Sequence, residues 1–266
     1  MIPRHTSRVD PTGFYDTLAP GYHLIFLDWA ASRARQGKIL DGLIRDTHGA
    51  GPNDVLDASC GIGTQALGLA ELGHRVFASD ISPASVARAE REATAAGVKL
   101  AGLSVADLRT LSDQLTQRFD VVMSCDNALP HLLEDAELAA AAHHLHAVLR
   151  PGGLLIATIR DYDATEPKPG QAVPTEMRVL GDGEARRISF QVWTWSADGR
   201  SYEVEQFILQ PQGEGWLTTS ARTRYRALKR EELSRALTAA GFREMRWHMP
   251  AEGGFYQPLV TARRPH

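Results

Sequence analysis

Leu56-Asp57-Ala58-Ser59-Cys60-Gly61-Ile62-Gly63-Thr64 decides the fold of this 266-residue chain. Val55, Leu56 and Ala58 read as a buried strand that runs into a glycine turn, and a helix follows from Gln65 to Leu72. The next apolar run, Arg75-Val76-Phe77-Ala78-Ser79, ends on an acid, Asp80. Gly61 and Gly63 let the backbone approach a ligand where a Cβ would clash. A carboxylate at the tip of the second strand can accept from both hydroxyls of a ribose. The unit reads as a βαβ nucleotide site.

The glycine spacing alone leaves the nucleotide open. Gly61-Ile62-Gly63-Thr64-Gln65-Ala66 also fits the dinucleotide pattern, so a nicotinamide or flavin enzyme competes. Two features favour S-adenosylmethionine. Asp57 would repel a pyrophosphate and attract the ammonium of an amino-acid moiety. The unit also begins behind a helical segment, whereas dinucleotide folds often start with the strand itself.

Outward from this site, strands and helices alternate: strand 55–58, helix 64–72, strand 75–79, helix 83–96 from Ser82-Pro83, strand 100–104, strand 119–124, a helix over 134–149 and strand 154–159. Such alternation predicts a doubly wound, mainly parallel seven-stranded α/β sheet covered on both faces. Residues 51–163 and 227–266 form its expected core. Before it, apolar residues from Phe14 to Ile44 recur at helical spacing, broken at Pro20-Gly21, and residues 1–50 read as a helical lid with a disordered first decade. After Asp163, a Pro- and Gly-rich loop leads into β segments over Arg187–Trp195, Ser201 to Leu209 and Trp216 to Tyr225, with a hairpin turn at Ser196-Ala197-Asp198-Gly199. Residues 164–226 are therefore expected to be an antiparallel cap, followed by a helix from Lys229 to Ala240 and β segments at 242–248 and 255–263.

A net charge of −3 gives no global basic field for nucleic acid, and no apolar run approaches the roughly 20 residues of a membrane span. The N-terminus lacks a signal peptide's apolar core, and two cysteines, Cys60 and Cys125, without metal-ligand spacing suggest reduced thiols. A cytoplasmic protein with a small-molecule acceptor and no membrane, nucleic-acid or metal partner is expected; homo-oligomerisation is left open. The basic run Arg222-Thr223-Arg224-Tyr225-Arg226-Ala227-Leu228-Lys229-Arg230 is the strongest nucleic-acid hint, but with Arg222, Arg224 and Arg226 on one strand face and Lys229-Arg230 opening the next helix it reads as a solvated cap face or an anion-facing wall. Trp193 and Trp195 read as core, with a wall for a cationic acceptor as the alternative.

Tyr15-Asp16-Thr17-Leu18-Ala19-Pro20-Gly21-Tyr22-His23, the glycine loop, Ser124-Cys125-Asp126-Asn127-Ala128-Leu129-Pro130-His131-Leu132 and Arg160-Asp161-Tyr162-Asp163 occur in that order. With them the chain resembles the Rossmann-like class I S-adenosylmethionine-dependent methyltransferases, and more closely the glycine and glycine/sarcosine N-methyltransferases. One departure is Ser59 where the class has a third glycine, small enough for the turn. The resemblance implies that Asp80 holds the ribose, that Asp107 and Leu108 flank the adenine, and that Gly61 and Gly63 lie against the methionine part. Tyr15, Tyr22, Arg35, Asp57, Ser59, Ile81 and Cys125 complete the expected cofactor set. Asn127, His131, Tyr162 and Tyr15 would face the acceptor, and Arg160 would bind its carboxylate, a bidentate pairing suited to guanidinium.

Several of these residues also have an ordinary structural reading, Asp107 as the solvating acid of a loop. Asp80 could cap the helix at Pro83, Arg160 could pair with Asp161 or Asp163, Asn127 could hold a turn and His131 could complete a helix-start network. The reaction implied is in-line displacement, with S-adenosylhomocysteine as product, and no strong general base stands out. N-, O- and C-methylation, a non-methylating ring closure and an NAD-dependent oxidoreductase remain as alternatives.

Overall fold

The structure, a computed structural model, describes residues 10–266; the disorder expected for the first decade concerns positions that, Asp10 apart, lie outside the described residues. The chain opens with α1 (Pro11–Leu18), a 3-10 turn at Tyr22–Ile25 and α2 (Trp29–His48). Then come β1 (Asp54–Asp57), α3 (Thr64–Glu71), β2 (Arg75–Asp80), α4 (Pro83–Ala96), β3 (Gly102–Val105), α5 (Leu111–Gln114), β4 (Phe119–Ser124), α6 (Asp135–Val148) and β5 (Leu149–Thr158). A second β region follows: β6 (Ala172–Pro174), β7 (Arg178–Leu180), β8 (Arg187–Trp195), β9 (Ser201–Gln212) and β10 (Gly215–Arg226). The chain ends with α7 (Arg230–Ala239), β11 (Arg243–His248), α8 (Pro250–Gly253) and β12 (Leu259–Arg263).

Seven strands form one sheet in the order β11-β12-β5-β4-β1-β2-β3. Its β5-β4-β1-β2-β3 part is parallel, and β12 runs antiparallel to both neighbours. Strand side chains alternate between faces, so a sheet covered on both sides needs apolar residues at successive positions. Val55, Val121, Leu154 and Ile156 pack on α2, α3 and α4 residues such as Leu40, Ile44, Leu69 and Ala89. Their neighbours Leu56, Val122, Leu155 and Ala157 join Leu138, Leu145, Leu233 and Leu237 of α6 and α7 on the other side.

Two local devices place the glycine turn. Gly37 of α2 and Gly68 of α3 bring the helix backbones together: a Cβ on Gly68 would lie 2.7 Å from the Arg33 carbonyl oxygen. Ser82 caps α4, its hydroxyl accepting from Ser85 N–H at 3.0 Å, with Pro83 in the first turn.

The cap is a five-stranded antiparallel sheet, β10-β9-β8-β6 with β7 also on β8. The short β6 and β7 were not expected, because proline and glycine in this segment read as loop. Other boundaries moved as well. β5 begins at Leu149, ahead of the Pro151-Gly152-Gly153 turn, and pairs Leu149 with Phe119 before its register shifts. The strand expected over 255–263 starts only at Leu259, because α8 and a left-handed Gly254 occupy the approach. Phe255 and Tyr256 thereby stay outside the sheet.

Candidate active site

A cavity of about 1380 Å³ opens at the carboxyl ends of β1, β2 and β4, with α1 and the 3-10 turn along one side and the cap strands β9 and β10 on another. Its core-side wall includes Ser59, Cys60, Gly61, Asp80, Ile81, Asp107, Leu108, Cys125 and Asp126. Tyr15, Tyr22 and His131 line it as well, and the cap contributes Glu203, Arg222 and Arg224.

At the glycine turn, Gly61 sits at φ +52 with open space where a Cβ would project. Its N–H donates to Asp80 Oδ2 at 2.8 Å, and Ser82 N–H donates to Oδ1 at 2.9 Å. The Asp80 carboxylate is thus fixed at the end of β2 while two oxygens keep lone pairs for a ligand. Burial raises its pKa, against the lowering effect of those two N–H groups. Asp57, fully buried behind the turn, leaves Oδ2 without a hydrogen-bond partner, and burial pushes its pKa up to about 8. Gly63 takes a different part from the one expected. At φ +96 it is the N-cap of α3 and does not reach the cavity wall. Arg35 is a correction too: it is exposed on α2 and outside the cavity, while its neighbours Arg33 and Gln36 make the contacts to Glu71 and Gln65.

Asp107 and Leu108 reach the cavity, but Arg109 grips the Asp107 carboxylate through Nε at 3.1 Å and Nη2 at 2.6 Å. Burial alone would raise the Asp107 carboxyl; Arg109 pulls it below its usual range. Asp107 therefore meets a ligand with its charge already shared.

Tyr15 hydroxyl lies 3.0 Å from His131 Nε2 and 3.2 Å from the Tyr225 hydroxyl, and Thr223 Oγ1 lies 3.2 Å from His131 Nδ1. Burial lowers the His131 pKa to about 3, so its ring is neutral near pH 7. Asp16 binds α1 to the core by accepting from Ser82 Oγ at 2.6 Å and Ala84 N–H at 3.1 Å. The Ser82 whose N–H orients Asp80 thus also holds α1.

Asn127, Arg160 and Tyr162 form a network that is not itself part of the cavity wall. Asn127 Oδ1 accepts from Arg160 N–H at 2.9 Å, and its Nδ2 donates to the Tyr162 hydroxyl at 3.0 Å. The Asn127 side chain is consequently occupied in joining β4 to β5, and the turn reading of this residue fits the geometry better than an acceptor contact. Arg160 Nη1 donates to the Tyr202 hydroxyl at 2.8 Å, and its guanidinium stacks 5.0 Å from Trp193 and 5.1 Å from Tyr225. Arg230, and not Arg160, pairs with Asp161 and Asp163. Trp193 and Trp195 are packed on Tyr202, and the cation over Trp193 is the protein's own. Within the basic run, Arg222 and Arg224 face the cavity, whereas Arg226 is buried against Asp135 and Glu232.

Sequence reasoning passed over Asp126. It follows β4 with φ 57, and Asn127 has φ 67, two successive non-glycine residues in the left-handed region. The Tyr256 hydroxyl donates to its carboxylate. Its place between Cys125 and Asn127 was the available signal.

An Asp80 oriented at the cavity edge and Ala106, Asp107 and Leu108 on its wall fit the ribose and adenine of S-adenosylmethionine, and Asp57, with one oxygen unpartnered, lies buried behind the glycine turn and outside the cavity wall. The fold is the one found in S-adenosylmethionine-dependent methyltransferases of known structure. Residues 55–153 match the family model described as a methyltransferase domain. The glycine/sarcosine N-methyltransferase of Parasynechococcus marenigrum (strain WH8102) is 34% identical over 137 residues, 52% of this chain and 47% of that protein. The chain spans about half the length of the curated relatives it matches. Among solved structures, the CcbJ methyltransferase of Streptomyces caelestis superposes with a TM-score of 0.76 at 18% identity, covering 97% of this chain and all of that one. CalS10, an amino pentose methyltransferase from Micromonospora echinaspora, gives 0.70 at 24% identity, covering 88% of this chain and 92% of that one.

Proposed function

We propose that the protein moves a methyl group from S-adenosylmethionine to the nitrogen of a small acid, with a glycine-like amino acid as the acceptor class. The observation that carries this reading is Arg160. Its guanidinium has no carboxylate partner among the described residues; beyond the two aromatic rings it stacks on, it bonds to the Tyr202 hydroxyl and, at 3.4 Å, the Gln191 amide. A partly buried charge without a counter-ion is costly, and a carboxylate bound bidentately would complete it. Its charge bears on Tyr22 and His131, both in the cavity wall. The curated glycine/sarcosine relatives support the same acceptor class.

When bound, S-adenosylmethionine supplies a methyl group already activated on a sulfonium. The chain's own residues would then do the positioning. Asp80 holds the ribose, Asp57 meets the ammonium, and Tyr15 and Tyr22 shut water out from the α1 side. Asn127 acts at one remove, its amide holding the Arg160 backbone and the Tyr162 hydroxyl behind the cavity wall. Proximity of this kind is a large share of the catalysis available to a displacement.

A second reading, a bulkier amine such as an amino sugar, is favoured by the cavity itself. At its cap end, away from the glycine turn, Glu203, Arg222 and Arg224 add charged groups that a small amino acid alone would not need. Arg160→Lys separates the two. For an amino-acid acceptor it should leave S-adenosylhomocysteine affinity intact and lower kcat/KM by about 10- to 1,000-fold, because lysine cannot reproduce the planar fork. Turnover at the wild-type rate would make Arg160 a structural prop and bring the neutral or bulkier acceptor forward.

A further inference from the structure

We propose that Asp126 is the residue that receives the acceptor's amine: its carboxylate pairs with the incoming ammonium and takes the proton that the nitrogen must lose before it can attack. This deepens the amino-acid reading above and rests on it.

Three observations place Asp126 in that position. First, it lines the cavity just beyond β4, between Cys125 and Ala128, which also face the cavity. Second, its charge and that of Arg160 both bear on the same two phenols, Tyr22 on the cavity wall and Tyr225 buried behind it. An anion and a cation thus flank one aromatic corner, which is the charge pattern of a zwitterion's two ends. Third, the backbone that aims it is held against its own preference. Asp126 and Asn127 are both left-handed, at φ 57 and 67, and each is fastened to the end of β5. Asp126 N–H donates to Thr158 Oγ1 at 2.8 Å, and Asn127 Oδ1 takes the Arg160 N–H. Backbone held in this region by several bonds at once is a recurrent feature of sites whose geometry is used.

The groups facing the carboxylate suit the task. Tyr256 donates a hydroxyl hydrogen to one oxygen, Gln65 approaches it, and Asp57, Tyr22 and Tyr225 lie near enough to act on or feel its charge. No Lys or Arg pairs with it among the described residues. Burial raises its pKa, which makes it a better proton acceptor than a solvated carboxylate. In the step, an N–H proton of the ammonium passes to the Asp126 carboxylate. The freed lone pair forms the N–C bond as the C–S bond breaks, and the electron pair of that bond goes to sulfur. The carboxyl then returns its proton to water through the open cavity.

The test is calorimetric titration of the S-adenosylhomocysteine-loaded protein with glycine and with acetate, which keeps the carboxylate and lacks the amine. The wild-type protein should prefer glycine, and Asp126→Asn should reduce that preference by about tenfold or more while acetate binding is unchanged. Asparagine accepts left-handed backbone, and unchanged S-adenosylhomocysteine affinity certifies the fold; should that control fail, Asp126→Gly takes its place. Tyr256→Phe, which leaves the carboxylate in position, should retain the preference. Undiminished discrimination in the Asp126 variant overturns this assignment alone. Binding of neither probe by the wild-type protein overturns the amino-acid reading and the assignment with it.

Discussion

Asp57 and Asp80 show how two like carboxylates a strand apart come to differ. Asp80 is stabilised by two backbone N–H donors at the cavity edge, whereas Asp57 is fully buried with one oxygen unpartnered. With its pKa near 8, Asp57 is mostly protonated at pH 7 in the free protein. An ammonium beside it favours the charged form, so ligand binding should lower that pKa and release a proton. Calorimetry of S-adenosylhomocysteine binding at pH 7, repeated in buffers of different ionisation enthalpy, should report release of up to about one proton, and Asp57→Asn should abolish it. Proton uptake, or no buffer dependence, would contradict the assignment of Asp57 to the ammonium. The placement of both acids at strand ends is legible in the sequence because it follows from local spacing around one turn. Arg160 is only half legible. Its place at a strand end can be read, but Tyr202, Gln191 and Trp193 come from the cap and decide what the guanidinium touches. Asp126 was not legible, because its orientation depends on two left-handed residues and on a tyrosine 130 positions later in the chain.

At the scale of elements, α1 and the 3-10 turn behave as a strap attached at several points besides the Tyr15 hydroxyl. Asp16 fastens α1 to the start of α4; Phe14 and Leu18 pack on Ile208 of β9; and Arg187 of β8 donates to the carbonyls of Leu24, Phe26 and Leu27. The helical spacing and the Pro20-Gly21 break announced this segment, and α4 followed its Ser82-Pro83 signal because that cap is a matter of neighbouring residues. The attachments are long-range and carry no local signature. Since Tyr15 and Tyr22 line the cavity, ligand contact should add to them. Hydrogen exchange across residues 11–25 is therefore expected to slow when S-adenosylhomocysteine binds, and Asp16→Ala should speed exchange of the ligand-free strap. Identical exchange with and without ligand would remove the closing role of α1.

At the scale of the whole molecule, a doubly wound sheet supplies one wall of the cavity and an antiparallel cap supplies Glu203, Arg222 and Arg224 on another. Arg226, paired at 2.6 Å with both Asp135 and Glu232, joins the end of the cap to α6 and α7. The alternation of strands with helices made the first sheet readable, and alternating β segments made the cap readable. How the two meet was not, because side chains from both decide it. The cavity so formed is the seat of the proposed reaction, and its products distinguish the chemistries that this fold can host. Purified protein should be incubated with methyl-labelled S-adenosylmethionine and a panel of small amines, amino acids, amino sugars and phenols, with products read by mass spectrometry. The account predicts S-adenosylhomocysteine together with a labelled methyl on the nitrogen of a small amino acid. Methylthioadenosine in place of S-adenosylhomocysteine, or label found only on oxygen or carbon, would contradict it.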